Sequence, residues 1–354
     1  MQRTKKMEEI KTAILLANLG SPESHEVRDV GNYLREFLMD ERVIDLPYLA
    51  RTVLVKGIIV PFRARKSAAK YKSIWINQGS PLIHISRQVQ KRLADNMKLP
   101  VELCMRYANP TPAYALDQLN AENPFLKEVI LVPLYPHYAM SSYETAVEHV
   151  RQTWSKGNYP FQLKVTPPFF NDEYYLDSLA ESIRPFLNGD FDHLLFSYHG
   201  IPRRHVLKSD PTKSHCLTDE NCCTEASAAH RFCYRHQISM TTKKVAEKLC
   251  LPKDKFSFSF QSRLGTDAWL KPYTVEQLAN FPKQGIKNLV IVCPAFVSDC
   301  LETLEEIRIE GRLEFLKHGG ESFGVIPCLN EREDWIDTLA HLVNRQSHTE
   351  SVTV

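Results

Sequence analysis

Residues 289–306 read LVIVCPAFVSDCLETLEE, and this stretch decides the fold. It begins with a run of β-branched and other apolar residues, the pattern of a strand that is buried on both faces. The run gives way at Pro294 to a loop, and carboxylates then recur at helical spacing from Asp299 to Glu306. In an open α/β sheet, ligands bind beyond the carboxyl ends of the strands. We therefore expect the start of this helix to lie at a functional site.

Four other strand-like runs occur earlier in the chain, with helical patterns between them. They span residues 12–16, 129–132, 194–198 and 256–260. Strands that alternate with helices predict an α/β protein with mostly parallel sheets. A polar or aromatic cluster follows each run, at residues 17–22, 133–138, 199–202 and 261–265. An ordinary turn explains any one cluster, but five clusters at the same ends of the strands favour one shared site.

A weak internal repeat indicates two similar halves. Residues 136–145 (PHYAMSSYET) align without gaps on residues 294–303 (PAFVSDCLET), and both segments follow a strand and open a helix. The tandem prolines Pro167 and Pro168 interrupt helix and strand alike, so we place the domain boundary there. The expected units are an N-terminal domain (1–167), a C-terminal domain (168–330), and a helix and tail (331–354) that pack back on the N-terminal half.

The composition indicates a folded protein with a small-molecule site. The chain has 354 residues, 43% of them hydrophobic, which suits two domains of roughly 150 residues each. Its 44 basic and 42 acidic residues give a net charge of +2, so there is no electrostatic reason to expect nucleic acid as a partner. The first ten residues lack the apolar core of a signal peptide, and no apolar run reaches the ~18 residues of a membrane span. We expect a soluble cytoplasmic protein.

An apolar segment lies next to a basic one within residues 47–86. Residues 53–62 (VLVKGIIVPF) are apolar apart from one lysine, and residues 63–72 (RARKSAAKYK) are basic. Two interpretations stay open. One is a core helix followed by a solvated helix, and the other is a lip that covers a substrate or contacts a membrane at its periphery.

His199 and the glutamates of the opening stretch are candidates for chemistry. An imidazole with a pKa near about 6.5 suits proton transfer or metal ligation, although a structural histidine is the alternative. Glu302 and Glu306 share one helix face, where their repulsion is tolerated beside a divalent cation. Asp299 and Glu302 also fit a helix-capping box, which needs no metal. Imidazole and carboxylates together suit Fe(II) in transit.

Four of the nine cysteines are grouped in a polar connection. They are Cys216, Cys222, Cys223 and Cys233. In a cytoplasmic protein such a group is more typical of a metal or iron–sulfur site than of disulfides. The spacing matches no standard zinc-finger or ferredoxin pattern, and a chance group of thiols stays open as the alternative.

Taken together, these segments resemble the ferrochelatase family, whose members insert ferrous iron into a porphyrin. The resemblance runs from about residue 14 to residue 343. Its most specific segments are residues 197–202 (SYHGIP), 261–274 (QSRLGTDAWLKPYT) and 296–306 (FVSDCLETLEE). Shorter agreements are residues 19–22 (LGSP), 79–82 (GSPL), 106–107 (RY) and 135–138 (YPHY).

The resemblance implies two Rossmann-like domains of the chelatase type, each with a mostly parallel sheet flanked by helices and with the active-site cleft between them. It implies that His199 and Glu302 are catalytic. The implied metal-binding residues are His199, Glu302, Glu306 and Asp299. The implied substrate-binding residues are Leu19, Tyr135, Tyr138, Trp269 and Ser262. The implied substrates are Fe(II) and a porphyrin, protoporphyrin IX in preference to coproporphyrin III, and no nucleotide is expected.

Two departures from the family pattern matter. Cys300 stands where many relatives carry His, so no required ligand role is assigned to it. The cysteine-rich residues 214–237 resemble an insertion that holds a [2Fe-2S] cluster in some bacterial ferrochelatases, and this implies that the four grouped cysteines hold one here. Two rival functions stay open: a chelatase for another tetrapyrrole or metal such as cobalt, and a haem- or iron–sulfur-binding sensor.

Overall fold

Two four-stranded parallel sheets form the centre of the protein. The structure, a computed structural model, describes residues 9–263, 265 and 267–347. The first sheet contains β1 (Thr12–Asn18), β2 (Val101–Met105), β3 (Glu128–Pro133) and β4 (Gln162–Val165) in the order β2-β1-β3-β4. The second contains β5 (His193–His199), β6 (Phe256–Gln261), β7 (Asn288–Val292) and β8 (Ser322–Val325) in the order β6-β5-β7-β8. The two orders are equivalent, and every strand pair is parallel. The predicted α/β fold with two similar parallel sheets is confirmed.

Helices connect the strands, as parallel pairing requires. The α-helices are α1 (Val27–Leu38), α2 (Tyr48–Thr52), α3 (Val60–Ile74), α4 (Pro81–Met97), α5 (Pro112–Glu122), α6 (Thr145–Gly157), α7 (Glu173–Ile183), α8 (Arg203–Ser209), α9 (Tyr234–Lys248), α10 (Thr274–Asn280), α11 (Arg312–Lys317) and α12 (Glu333–Ser347). Short 3₁₀-helices occur at Arg184–Leu187, Ala228–Arg231, Lys253–Lys255 and Phe281–Gln284.

Three segments have the wider π-helical turn. They are Val53–Ile59, Met140–Glu144 and Glu302–Gly311. The second and third begin in the two halves of the internal repeat, each shortly after the third strand of its sheet. π-Helical turns are rare and occur frequently at functional sites. The opening stretch therefore is a strand, a loop and a helix as predicted, but the helix is of the π type.

The C-terminal helix α12 contacts both halves of the molecule. Its Thr338 hydroxyl lies 2.9 Å from that of Ser178 in α7. On the other side, Asn96 of α4 donates a 3.0 Å hydrogen bond to Asp337. Trp335 is fully buried between the two, in the same apolar core as the strands. This helix therefore joins the N-terminal and C-terminal domains.

The segment between α1 and α4 packs against α1 through α3, and we call residues 47–74 the lip. Its apolar side chains do not all enter the core: Leu49 is 77% exposed, Val53 67% and Phe62 80%. The exposure of these three side chains does not fit the interpretation of this segment as a core helix. The lip is held to the second domain by Lys70, whose ammonium bonds to two glutamates of the third π-helix.

No helix formed by residues 9–263, 265 or 267–347 is long and apolar enough to cross a membrane.

Candidate active site

The carboxyl ends of strands from both sheets open into one cavity of about 850 Å³, counting the space at its mouth. Its walls are mostly apolar, and its polar groups come from both domains. Among the lining residues are Asn18, Leu19, Phe37, Leu82, Leu134, Tyr135, His137, Ala139, His199, Ile201, Tyr234, Ala295, Phe296, Val297, Cys300 and Glu302. A large apolar cavity with a few convergent polar groups is the usual form of a small-molecule site.

His199 is the last residue of β5, and its hydrogen bonding determines which ring nitrogen is available. Nδ1 lies 2.6 Å from the carbonyl oxygen of Gly200. A carbonyl only accepts, so Nδ1 carries the proton and Nε2 keeps its lone pair. Burial lowers the pKa of His199, while the Glu302 carboxylate acts in the opposite direction. The residue is therefore a neutral base or ligand at neutral pH.

Glu302 is the first residue of the third π-helix and faces the same cavity. Burial raises the pKa of the Glu302 carboxyl, and the Glu306 carboxylate raises it further. The Cys300 thiol and His199 act in the opposite direction. A carboxyl with a raised pKa next to an imidazole with a lowered one is the pattern of groups that exchange protons near neutral pH.

Gln261, at the end of β6, hydrogen-bonds to the backbone beside His199 and to the backbone of Glu302. Its backbone carbonyl accepts the N–H of Gly200 at 2.8 Å. Its side-chain amide donates to the carbonyl of Glu302 at 3.2 Å and accepts the Ser197 hydroxyl at 2.6 Å. A Cβ on Gly200 would lie 2.8 Å from the Gln261 carbonyl oxygen, so only glycine fits this approach. Hydrogen bonds from the end of β6 thus fix the position of His199, at the end of β5, relative to Glu302.

Asp299 and Glu302 do not form the predicted helix-capping box. The third π-helix has no side-chain cap hydrogen bond at its start. Asp299 instead accepts the Thr303 hydroxyl at 2.7 Å and the Asn330 amide at 2.7 Å. Asp299 is buried and is not among the residues that line the cavity.

The other predicted site residues fall into three groups. Leu19 and Tyr135 line the cavity with His199 and Glu302. Ser262 and Glu306 line a neighbouring cavity on the far side of the π-helix, where the serine hydroxyl donates a 2.5 Å hydrogen bond to the glutamate. Tyr138 and Trp269 lie outside both sets of lining residues.

Trp269 and Tyr138 nevertheless pack close to the first cavity. Trp269 pairs with Pro202 in an isolated bridge and would be 3.0 Å from a Cβ on Gly200. Tyr138 bonds through its hydroxyl to Glu144, whose other carboxylate oxygen receives Arg42 at 3.0 Å. Glu144 is the equivalent of Glu302 in the first half of the internal repeat.

Among the cavity residues to which the sequence assigned no role are His137, Tyr234 and Cys300. His137 is 2% exposed, and burial lowers its pKa to about 3. The Tyr234 hydroxyl donates to the backbone carbonyl of His199 at 2.9 Å. Burial and the nearby Glu302 carboxylate raise the pKa of the Cys300 thiol. His137 stands in a quoted motif, whereas Tyr234 follows the cysteine group and carries no local signal of its role.

Three of the four grouped cysteines, Cys216, Cys223 and Cys233, lie next to one another in the structure. Thiol hydrogen bonds join Cys233 to Cys223 and Cys216, and the Cys222 sulfur lies 3.7 Å from Nη1 of Arg235. The bond from Cys223 lowers the pKa of the Cys233 thiol to about 6 despite its burial. All nine cysteines of the chain are free thiols.

Three histidines surround the backbone of this group. His215 and His230 bond through Nε2 to the carbonyl of Cys222 at 2.6 Å and 3.0 Å. His236 bonds through Nδ1 to the carbonyl of Cys223 at 2.7 Å, and its ring stacks on that of His230 with centroids 3.6 Å apart. One nitrogen of each ring is thus engaged with the backbone, and the sulfurs and the second ring nitrogens are the possible metal ligands of this segment.

Within the part of the chain that the structure describes, no group of three or more His, Cys, Asp or Glu side chains is arranged to hold a metal ion. The cavity thus offers His199 and Glu302 as a pair. The cysteine segment likewise offers contacting pairs of thiols.

Comparison with known proteins agrees with this geometry. A family model described as Ferrochelatase matches residues 11–347. The chain belongs to the ferrochelatase family. Ferrochelatase of Opitutus terrae is 47% identical over 94% of this chain and 96% of its own length. Those of Stutzerimonas stutzeri and Porphyromonas gingivalis are 45% and 42% identical over 94% and 97% of this chain, and over 97% and 98% of their own lengths. The predicted family and the predicted class of enzyme are confirmed.

Solved structures support the fold of this ferrochelatase. SirB from Bacillus subtilis with Fe3+ superposes with a TM-score of 0.56 at 10% identity, over 96% of both chains. The sirohydrochlorin chelatase SirB of Bacillus subtilis subspecies spizizenii in complex with cobalt gives a TM-score of 0.54 at 8% identity, over 95% of both chains. The two-domain architecture is therefore that of chelatases.

Proposed function

We propose that this ferrochelatase inserts Fe(II) into protoporphyrin IX and releases the two pyrrole protons. The observation that carries the proposal is the pair formed by His199 and Glu302, which face one apolar cavity between the domains. A flat macrocycle needs apolar walls, and its central nitrogens need a base on one face. The lone pair on Nε2 of His199 meets the second requirement.

The pair suits proton removal during metal insertion. Two N–H protons leave the porphyrin as iron enters, so each base must be unprotonated beforehand. The lowered pKa of His199, caused by burial, keeps its imidazole neutral at neutral pH. Glu302 then takes up or passes on a proton, since burial and Glu306 raise its pKa. The four porphyrin nitrogens complete the ligand set of the iron, so two protein ligands suffice during transfer.

Glu306 is proposed to extend this path toward solvent, and Asp299 to orient it. Glu306 follows Glu302 after four residues of the π-helix and lines the adjoining cavity. Carboxylates are ligands that hold Fe(II) loosely enough for onward transfer. Asp299 acts from behind the site through Thr303 and Asn330.

The cavity lining favours protoporphyrin over coproporphyrin. The described residues that line the cavity include no lysine or arginine. Coproporphyrin carries four carboxylates and protoporphyrin two, so coproporphyrin would leave more charge without a partner. We propose Leu19 and Tyr135 as wall residues, with Tyr138, Trp269 and Ser262 supporting the wall from outside.

The test is anaerobic Fe(II) insertion, measured by the absorbance of the haem product. We expect turnover in the wild type, loss of at least about a hundredfold in His199→Ala because the base is removed, and little change in His318→Ala, a histidine outside the cavity. Protoporphyrin should have the higher kcat/KM. Turnover only with Co(II) or another tetrapyrrole would favour a different chelatase. Full activity of His199→Ala would contradict the role of His199 as the base, and a wild type without turnover for any metal or tetrapyrrole would leave the sensor as the rival.

A [2Fe-2S] cluster is proposed as a resident group of the cysteine segment. This cluster is held by four cysteine thiolates, two to each iron. The thiols of Cys216, Cys223 and Cys233 lie together, and the adjacent Cys222 would be the fourth ligand. Cys216, Cys222 and Cys233 are buried, while Cys223 is half-buried at the rim. A cluster bound there would be held by thiolates and shielded from bulk water by the surrounding chain.

The lip is proposed to contact a membrane at its periphery. Its exposed apolar residues include Tyr48, Leu49, Val53, Ile58 and Phe62, of which the last is 80% exposed. Exposed basic side chains lie beside them at Lys56, Arg63, Arg65 and Lys66. Apolar and basic groups on one surface suit the interface of an anionic bilayer. Contact there would let an apolar porphyrin pass between lipid and cavity.

A further inference from the structure

Asp45 joins the first domain to α8 of the second domain through a cluster of charged side chains. Its carboxylate accepts a 2.7 Å hydrogen bond from Nε of Arg204 and also bonds to the ammonium of Lys208. Nε2 of His205 lies 3.6 Å from the same carboxylate. Only 8% of the Asp45 side chain is exposed, so salt and water screen these contacts little. Although burial raises the pKa of Asp45, the bonds from Arg204 and Lys208 lower it far below its usual range, and the carboxylate stays ionised.

Arg51 fixes the first-domain side of this cluster. It is 7% exposed, and its Nη1 donates to the backbone carbonyls of Ile44 and Leu46 at 3.1 Å and 3.2 Å. The two residues that flank Asp45 are thus held by α2, the first helix of the lip. The chain leaves α1 shortly before this point, and Phe37 of α1 lines the catalytic cavity. The cluster therefore begins at the first-domain wall of the cavity.

The start of α8 adjoins the second-domain wall of the cavity. Ile201 lines the cavity, and its carbonyl accepts the N–H of Leu270 at 3.1 Å. Arg203, the first residue of α8, donates its N–H to the carbonyl of Ala268 at 2.8 Å. These two backbone bonds hold residues 267–270 against the chain between β5 and α8. A displacement of α8 would therefore move this wall.

Asp267 connects the same cluster to the neighbourhood of the proposed base. Its carboxylate contacts the guanidinium of Arg204, which is thus shared between Asp45 and Asp267. Two residues further on, the Trp269 ring lies where a Cβ on Gly200 would be 3.0 Å from it. The Gly200 carbonyl oxygen in turn lies 2.6 Å from Nδ1 of the proposed base. A single carboxylate of the first domain is therefore linked through one guanidinium to the backbone that orients the imidazole.

We propose that Asp45 is a positioning residue that sets the separation of the two cavity walls through Arg204 and Lys208. With the carboxylate in place, the walls hold the macrocycle between them at contact distance. Without it, the cations of Arg204 and Lys208, four residues apart on one helix, repel each other. The contact between the domains then loosens, the walls move apart, and the cavity binds porphyrin more weakly. The inference rests on the proposed function, since it takes this cavity as the porphyrin site.

The first test is the affinity for protoporphyrin IX, titrated by fluorescence on the full chain with no iron added. Asp45→Asn keeps the size of the side chain and removes its charge, and we expect the dissociation constant to increase three- to tenfold. Asp45→Glu keeps a carboxylate, and its dissociation constant should stay within twofold of that of the wild type. An equal loss of affinity in both variants would overturn the inference.

A double-mutant cycle determines whether the loss passes through α8, since only coupled positions give non-additive changes. Arg204→Gln alone should also increase the dissociation constant three- to tenfold. The double variant of Asp45→Asn and Arg204→Gln should be no weaker than the worse single one. The control pair is Asp177→Asn with Lys248→Gln, whose 2.6 Å ion pair lies within the second domain. Both control changes should leave the affinity within twofold of the wild type.

Steady-state kinetics give a measurement that a purely structural role would not move. Asp45→Asn should raise the KM for protoporphyrin three- to tenfold and leave kcat and the KM for Fe(II) within twofold, because Asp45 is not among the residues that line the cavity. Circular dichroism and thermal unfolding establish that each variant is folded. If the Asp45 variants do not fold, Arg204→Gln and Arg204→Lys take their place, with the same expected loss and rescue.

Three further outcomes are decisive. An affinity of Asp45→Asn within twofold of the wild type would overturn the inference. Multiplying effects of Asp45→Asn and Arg204→Gln would overturn it too, because the two groups would then act separately. A wild type without turnover would overturn the proposed function, while the affinities would still decide this inference.

Discussion

Lys70 in the lip forms an ion pair with Glu305 in the third π-helix, with 2.8 Å between Nζ and Oε2. The two residues belong to different domains, and the same ammonium also lies 2.6 Å from Glu310. Only 8% of the Glu305 side chain is exposed. This contact therefore fixes the lip against the helix that carries Glu302.

Removing that ammonium should loosen the lip. Lys70→Met leaves the buried Glu305 carboxylate unpaired, and we expect a loss of about 1–3 kcal/mol in the free energy of unfolding. Burial already raises the pKa of Glu305 and Lys70 lowers it, so this pKa should rise further in the variant. Urea unfolding measures the stability. Lys72→Met, an exposed lysine two residues on, is the control, and equal stability losses in both variants would contradict the prediction.

Glu302→Gln should move the titration of His199. The Glu302 carboxylate raises the pKa of His199 against the lowering effect of burial, so its removal should lower that pKa further. The neutral imidazole then persists to lower pH than in the wild type. A histidine titration by NMR checks the direction of the shift, with Glu276→Gln, an exposed glutamate of α10, as the control. A raised or unchanged pKa would mean that the two groups are not electrostatically linked.

The four grouped cysteines should bind iron and sulfide in equal amounts. Anaerobically purified protein is expected to show visible absorption from the cluster, and Cys222→Ser should lose it because one thiolate ligand is missing. Cys250→Ser is the matched control, since Cys250 is exposed and far from the group in sequence. Colourless wild-type protein without iron or sulfide would exclude the cluster.

The lip should govern binding to lipid. Vesicles that contain anionic lipid are expected to sediment with the wild type, and Leu49→Ser with Phe62→Ser should reduce the bound fraction severalfold because both apolar side chains leave the interface. Leu313→Ser, at a residue that is 62% exposed in α11, tests whether any exposed leucine has the same effect. Binding that survives the double substitution would remove the lip from the contact.

His137 should make the protein less stable in acid. Burial lowers the pKa of this residue to about 3, whereas an unfolded histidine titrates near about 6.5. The unfolded chain therefore takes up the proton first, and stability is lost as pH falls from about 6.5 toward about 3, by up to about 1.4 kcal/mol for each pH unit. In His137→Gln this contribution should vanish, whereas His318→Gln should keep the wild-type slope. Urea unfolding at several pH values measures the slope, and identical slopes in wild type and His137→Gln would contradict the prediction.

The sequence predicted the central strands because burial on both faces leaves a continuous apolar run. β4 (QLKV) and β8 (SFGV) were missed, because these edge strands are half-exposed and carry no such run. β2, also at an edge, was missed as well. The π-helical turn at Glu302 could not be predicted, since the acidic spacing there also fits an α-helix.

The sequence placed candidate site residues at strand ends and at the start of the helix after β7. His199, Leu19 and Tyr135 stand at strand ends and Glu302 begins that helix, and the family resemblance implied their roles. Tyr234 lies 35 residues from the backbone group that it binds, and Lys70 lies 235 residues from Glu305. Such contacts depend on how the domains pack, which no local pattern records.

The equivalent strand orders of the two sheets make the chain a tandem of two copies of one unit. In the first copy the Glu144 carboxylate is bonded to Arg42 and Tyr138, whereas its counterpart Glu302 faces the cavity. Of these two equivalent carboxylates only one is open to the cavity, so a nearly symmetric macrocycle would meet different chemistry on its two sides.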